Sequence, residues 1–195
     1  MKEAKTMIAK ERWLSDKGFL KGGLIRILLV FLFMGCAAEP GWLDPNMKGP
    51  QVVVQPEAVT LGVASVTGTP IVFIGKGFQS GDSVFIELLG VEKKGKKVNV
   101  PIADANVDSN GCFTAKVSTL VKVTELLRAK LGSNKKMEAI IIITQPTIPP
   151  GVYTAKAVSM ESDAKADCKI TLVAPYSWDK FKDWIGVKKG KIVKK

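Results

Sequence analysis

The chain has 195 residues, with 29 lysines and arginines against 18 aspartates and glutamates, a formal charge of +11, and no histidine. The missing imidazole removes the commonest general base and the commonest metal-ligating side chain together. The charge sits at the ends: residues 1–35 contribute +4 and residues 176–195 contribute +5, leaving +2 on residues 36–175, so a nucleic-acid reading based on total charge loses its support.

In chain order, the first feature is the run from Ile27 to Met34, eight consecutive apolar residues. Seven basic residues precede it against Glu3, Glu11 and Asp16, and Gly35-Cys36-Ala37-Ala38 follows. A basic leader, a short apolar run and then small residues is the order of a secretory signal peptide. The run is too short to span a bilayer, which takes roughly 20 apolar residues in a helix. Its ending, "FMGC", resembles the lipobox of bacterial lipoproteins, in which the cysteine is lipidated and becomes the new N-terminus. The resemblance departs from the family at Phe33, where leucine is preferred, and at Met34, where a small residue is preferred. It implies a lipidation site at Cys36, a membrane partner through that lipidated N-terminus, and a place in the cell envelope. In a Gram-negative host that place is the periplasmic or outer-membrane side. A start at Met7 would shorten the long leader, and an uncleaved anchor is the main alternative. A stable lipid anchor needs more than one acyl chain, which one modified cysteine supplies.

Residues 36–50 read as a tether, with prolines at 40, 45 and 50 and glycines at 41 and 49. Short runs rich in β-branched residues follow, divided by turn signals. They fall at 51–54, 58–66, 70–75, 82–89, 96–102, 112–118, 138–144, 151–159 and 167–174. Alternation is plain in Val59, Leu61 and Val63, in Val84, Ile86 and Leu88, and in Val98, Val100 and Ile102. One stretch breaks this pattern. "TLVKVTELLRAKLGSN" places Val123, Leu126, Leu127 and Leu131 at helical spacing with Gly132 as a stop, which predicts a connector helix crossing between sheets.

The stretches "IVFIGKGFQSGDSVFIELLG", "ADANVDSNGCFTAKVS" and "IPPGVYTAKAV…KITLV" together resemble a bacterial immunoglobulin-like domain of the type called IPT or TIG, over about residues 52–174. The strand runs by themselves indicate a β-sandwich or barrel; the resemblance implies an all-β, immunoglobulin-like β-sandwich, of about seven to nine strands with the connector helix as its one short insertion. It says nothing about function. Tyr153 stands two residues before Ala155, as a tyrosine-corner residue stands before the late strand's core position. Alanine there means that the family's inter-sheet disulfide is not expected. With Cys36 lipidated, Cys112 and Cys168 still form an even pair for which a bridge is permissible. Alternation turns Cys112 away from the face of Phe113, Ala115 and Val117 and puts Cys168 on the face of Ile170 and Leu172, which argues against it.

The motifs that suggest chemistry have plainer explanations. "GKGFQSG" lacks the lysine-hydroxyl pair and the following helix of a phosphate loop, and reads as a bulged turn. Asp104, Asn106, Asp108 and Asn110 alternate like calcium ligands, but Ala115 stands where the bidentate glutamate belongs, so a hairpin turn and no metal is expected. "EKKGKKV" reads as a solvated loop tip, and the prolines of "QPTIPPG" end a strand. No catalytic or cofactor-binding set emerges, there being no activated nucleophile and no paired carboxylates at a recognisable spacing. An enzyme is therefore not expected.

The tail, residues 176–195, is amphipathic. Trp178, Phe181 and Ile185 share a helical face with Trp184 beside them, Lys188 and Lys189 follow, and Ser177 suits an N-cap. Three readings stand: the aromatics fold back on the body, the segment meets a membrane or an anionic envelope surface, or it docks into another envelope protein. The chain as a whole reads as a lipid-anchored envelope protein, with 1–35 as signal peptide, 36–50 as tether, 51–175 as the sandwich and 176–195 as the basic aromatic tail. Its role is binding or scaffolding. The alternative is a structural subunit of a larger envelope or secretion assembly.

Overall fold

The structure, a computed structural model, describes residues 42–93 and 95–194. Cys36, the segment 1–35 read as a signal peptide and the choice between Met1 and Met7 lie outside the described residues.

Strand alternation builds most of what is seen. In β4 (Ser83–Lys93), Val84, Ile86 and Leu88 are buried, and between them Phe85 and Glu87 are less so. β4 pairs antiparallel with β5 (Lys96–Asn106) on one side and β9 (Gly151–Ser159) on the other. Beyond β9 lies β10 (Lys165–Val173), and the short β2 (Ala58–Thr60) adds to it in parallel, giving the order β2-β10-β9-β4-β5. A second sheet, β1-β3-β6, is made of β1 (Gln51–Gln55), β3 (Val72–Lys76) and β6 (Phe113–Lys116). Its edge strands lie near the first sheet, β1 by β10 and β6 by β5. Val54 and Phe73 from the smaller sheet and Ile86, Leu88, Ile170 and Leu172 from the larger join one apolar cluster. The protein is thus mostly β.

A third sheet, β11-β8-β7, was not expected. It combines β7 (Ala129–Ser133) and β8 (Ala139–Ile143) with a strand from the tail, β11 (Ile192–Lys194), which pairs parallel with β8. The connector helix is correspondingly shorter than its apolar stripe predicts. Helix α2 (Thr119–Val121) runs into a π-helical turn, Lys122–Leu126, and Arg128 at a φ of +51° turns the chain out of the helix. Val123, Leu126 and Leu127 do enter the core. Leu131, the fourth member of the stripe, lies instead on β7, opposite Ile141.

The reading of 58–66 as one strand is also corrected. The strand stops at Thr60, and Val63–Gly68 is a helix, α1. Val63 and Val66 are its buried residues. Gly62, just before it, offers no side chain to cap the helix, so its first N–H groups find their partner elsewhere.

"DANVDSNG" is a turn, but it does not make a hairpin within one sheet: it carries the chain from β5 in the larger sheet to β6 in the smaller. The Asp108 carboxylate accepts hydrogen bonds from the backbone of Asn110 and Cys112 at 2.8 and 2.9 Å, and Gly111 supplies a φ of +74°. The turn at "GKGFQSG" seats Phe78 edge-on against Phe113, their centroids 5.1 Å apart. Gly77 is required there, since a Cβ would lie 2.3 Å from the Gly49 carbonyl oxygen. Tyr153 donates its hydroxyl to the Pro149 carbonyl at 2.8 Å. Cys112 and Cys168 are free thiols, both half-buried.

Candidate interaction face of the C-terminal helix

Helix α3 (Ser177–Lys188) follows Pro175 and begins one residue earlier than a Ser177 cap would place it, with Tyr176 at the cap position. Asp179, in the first turn, accepts the Tyr176 backbone N–H at 3.0 Å and the Ser65 hydroxyl from α1. The Ser65 hydrogen bond, helped by the Tyr176 N–H and the charge of Lys182, holds the Asp179 carboxyl below its ordinary range against the opposing effect of burial. One turn on, the two oxygens of Asp183 accept the backbone N–H groups of Val63 and Ala64 at 2.9 and 3.0 Å. The cap missing from α1 is therefore supplied from a residue 120 positions away. Two carboxylates thus fix the helix to the body, and Gly62 and Gly186 let the surfaces close. A Cβ on Gly62 would lie 2.8 Å from that of Asp179, and one on Gly186 would lie 2.5 Å from Ile192. The helix ends as the Lys191 N–H bonds the Gly186 carbonyl at 2.9 Å, and the chain enters β11.

This settles which side of α3 faces inward, and it is the acidic side. The tail packs on the body, but not in the way the fold-back reading expected, because the aromatics do not go with it. Trp178, Phe181 and Trp184 remain 63%, 45% and 54% exposed. They stack on one another along the helix with centroids 5.3 and 5.9 Å apart, forming a ladder. Lys182 lies 5.9 Å over the Trp178 ring and Lys188 lies 5.8 Å over that of Trp184, within cation–π range. Ile185 is half-buried, and Lys180 and Lys189 are exposed around the ladder. The face has one cationic and one aromatic component and no carboxylate, both aspartates being spent on the body.

Besides Asp179, two further buried charged groups escaped sequence reasoning. Asp82, 1% exposed, accepts the Ser159 hydroxyl, the backbone N–H groups of Ser83, Glu161 and Ser162, and the Ser162 hydroxyl. These bonds, that from Ser159 first, lower its pKa to about 2 even though burial opposes them. A carboxylate that acidic stays ionised near neutrality, and its bonds to Ser159 and Ser162 latch the β9–β10 turn to the start of β4. Lys122 in the π-helical turn donates to the Thr69 carbonyl, and burial lowers its pKa. Alternation reveals neither group, because each lies at a strand end or turn. The serine-rich approach in "SGDS" is the one local sign of the first. Among the described residues no cluster of His, Cys, Asp and Glu has the geometry of a metal site, and no helix is long and apolar enough to cross a membrane.

No protein-family model matches this chain, and no curated protein matches its sequence. Among solved structures, macromomycin superposes over 64% of this chain and all of its own, at 18% identity and a TM-score of 0.36. A β-glucosidase from Erythrobacter marinus covers 64% of this chain at 12% identity and a TM-score of 0.36, and one from Listeria innocua covers 65% at 11% and 0.33. The matched regions are 15% and 16% of those two enzymes. Likenesses this loose carry no argument about fold or function.

Proposed function

We propose that the mature chain is a cell-envelope lipoprotein anchored through Cys36, with an immunoglobulin-like body of the IPT/TIG type that binds or scaffolds, and that α3 is its second contact with an anionic membrane surface. The exposed aromatic ladder with its flanking lysines carries the proposal. Indole rings favour the headgroup region, where an apolar body and a polar edge are both accommodated. Each lysine close to an anionic surface adds about 1 kcal/mol, and salt weakens that attraction. A lipidated N-terminus would hold this face within reach of the bilayer, so a weak contact suffices to orient the body. The apolar cluster shared by the two sheets and the Tyr153–Pro149 hydrogen bond support the immunoglobulin-like reading, since a tyrosine corner closes on upstream backbone in the same way.

The chain from Ala37 to Lys195, free of lipid, should sediment with phosphatidylglycerol vesicles at low salt and release from them at high salt. Trp178→Ala/Trp184→Ala should lose most of that binding and melt at nearly the same temperature, because both side chains are largely exposed. Equal sedimentation by the two proteins would sink the membrane contact. For the anchor, intact mass of native protein should show a modified Cys36 as the first residue, and Cys36→Ser should release the body from membranes or leave an unprocessed precursor. An unmodified N-terminus upstream of residue 36 would refute that half.

A further inference from the structure

Between α1, α3 and the third sheet lies a cleft of about 340 Å³. Its floor is a cross-strand row in which Ile192, Ile141 and Leu131 stand side by side on β11, β8 and β7. Val63 of α1 and Gly186 of α3 form the walls. The row is unevenly covered: Ile192 is buried beneath α3, whereas Leu131 is 46% exposed. Lys182 and Lys191 are the charged residues of the lining, and no carboxylate among the described residues joins them. The Thr67 hydroxyl is spent on the Val63 carbonyl at 2.8 Å.

We infer that this cleft binds one fatty-acid chain, its carboxylate held by Lys182 and Lys191 and its methylenes laid along the Ile192–Ile141–Leu131 row. The chemistry of the lining selects the occupant. A peptide or a sugar brings amides or hydroxyls that an aliphatic sheet face leaves unpaired, at a cost for each. An alkyl chain brings none, and an anionic head meets two ammonium groups. The volume falls at the small end of ligand pockets, about 300–1,000 Å³, which suits one chain better than the two of a phospholipid. The site goes beyond the membrane contact of the aromatic ladder: it lies on the docked flank of α3, shares Lys182 with the ladder, and is open to a free fatty acid in solution.

Isothermal titration of the Ala37–Lys195 chain with dodecanoate below its micellar concentration, without vesicles, tests the inference. Saturable binding with one site per chain is expected. Decanoate should bind about tenfold more weakly, as expected when two methylenes leave an apolar site, and dodecyltrimethylammonium should bind far more weakly than dodecanoate. Ala64→Trp and Ala139→Trp fill the cleft from two exposed rim positions, so at least one is expected to fold normally and to abolish binding. Trp184→Ala alone should bind dodecanoate as the parent does, because Trp184 carries Lys188 and not the cleft's Lys182, which separates this site from the membrane contact. Absence of saturable binding, equal affinity for the cationic amphiphile, or binding that survives in both folded rim variants would each overturn the inference. Self-association that seals the cleft and excludes dodecanoate, relieved by Ala139→Trp, would assign the face to a second copy of the chain and overturn it too.

Discussion

Replacing Asp183 with alanine removes both acceptors at the start of α1 while touching neither the apolar core nor the aromatic ladder. The two freed N–H groups are not equivalent. That of Ala64 is exposed and finds water, whereas Val63 is 5% exposed and its N–H is left without a partner. A buried donor stripped of its acceptor costs about 1–3 kcal/mol, and loss of a helix cap measured directly costs about 0.5–2 kcal/mol. These describe the same loss and are not summed, so about 2 kcal/mol is expected. For a domain of this size each kcal/mol lowers the melting temperature by about 2–4 °C, which gives a fall of about 4–8 °C. Asp183→Asn keeps one carbonyl oxygen for the Val63 N–H and should fall by about half as much. Scanning calorimetry of the Ala37–Lys195 chain measures both, and hydrogen exchange at residues 63 and 64 reports the cap itself. Melting temperatures unchanged within about 1 °C, or an asparagine variant as damaged as the alanine one, would refute the claim that Asp183 caps α1.

Asp82 makes the fold acid-sensitive in a defined window. Its carboxyl titrates near 2 in the folded chain against 3.8 when free, so its contribution is complete above about pH 3.8 and is lost as the pH falls toward 2. Asp179, also held low, adds to the same acid limb. Asp82→Asn should be less stable at neutral pH and should lose less stability between pH 4 and pH 2; identical acid limbs would contradict the latch. Burial, reinforced by the neighbouring carboxylates Asp167 and Glu57, pushes the Cys168 thiol up to about 12. Iodoacetamide at pH 8 should therefore leave Cys168 largely unmodified until the protein is denatured, and rapid native labelling at that position by peptide mass mapping would contradict its burial.

The strands were legible where alternation met burial on both sides. β9 runs over 151–159 as expected, and Val84, Ile86 and Leu88 enter the core as their spacing requires. Errors arose where a distant partner decides the local structure. Nothing in "AVTLGVASVTG" signals a helix strongly, because the group that stabilises its first turn is Asp183. In "TLVKVTELLRAKLGSN" the spacing of Val123, Leu126 and Leu127 is truly helical, but Leu131 continues it by coincidence and belongs to a strand defined by pairing with β8. The tail shows the same limit. Hydrophobicity alone would turn Trp178, Phe181 and Ile185 inward, yet the body offers α3 unsatisfied N–H groups and a serine hydroxyl. Those partners draw in the aspartates instead, and the aromatic face is left outside as a consequence. The cleft needs three strands and two helices to assemble, so no single stretch of sequence contains it.

The most direct test of the proposed membrane contact uses the tryptophans of α3. Of the four in the chain, Trp13 lies within residues 1–35, so a Trp42→Phe variant of the Ala37–Lys195 chain retains only Trp178 and Trp184. Mixed with phosphatidylglycerol vesicles carrying brominated acyl chains, its fluorescence should shift to the blue and be quenched, and about 0.5 M salt should reverse both changes, since screening at that strength shortens the reach of the lysine charges to a few ångströms. Emission that stays unshifted and unquenched at low salt, from a variant that melts like its parent, would contradict the placement of this face at a membrane.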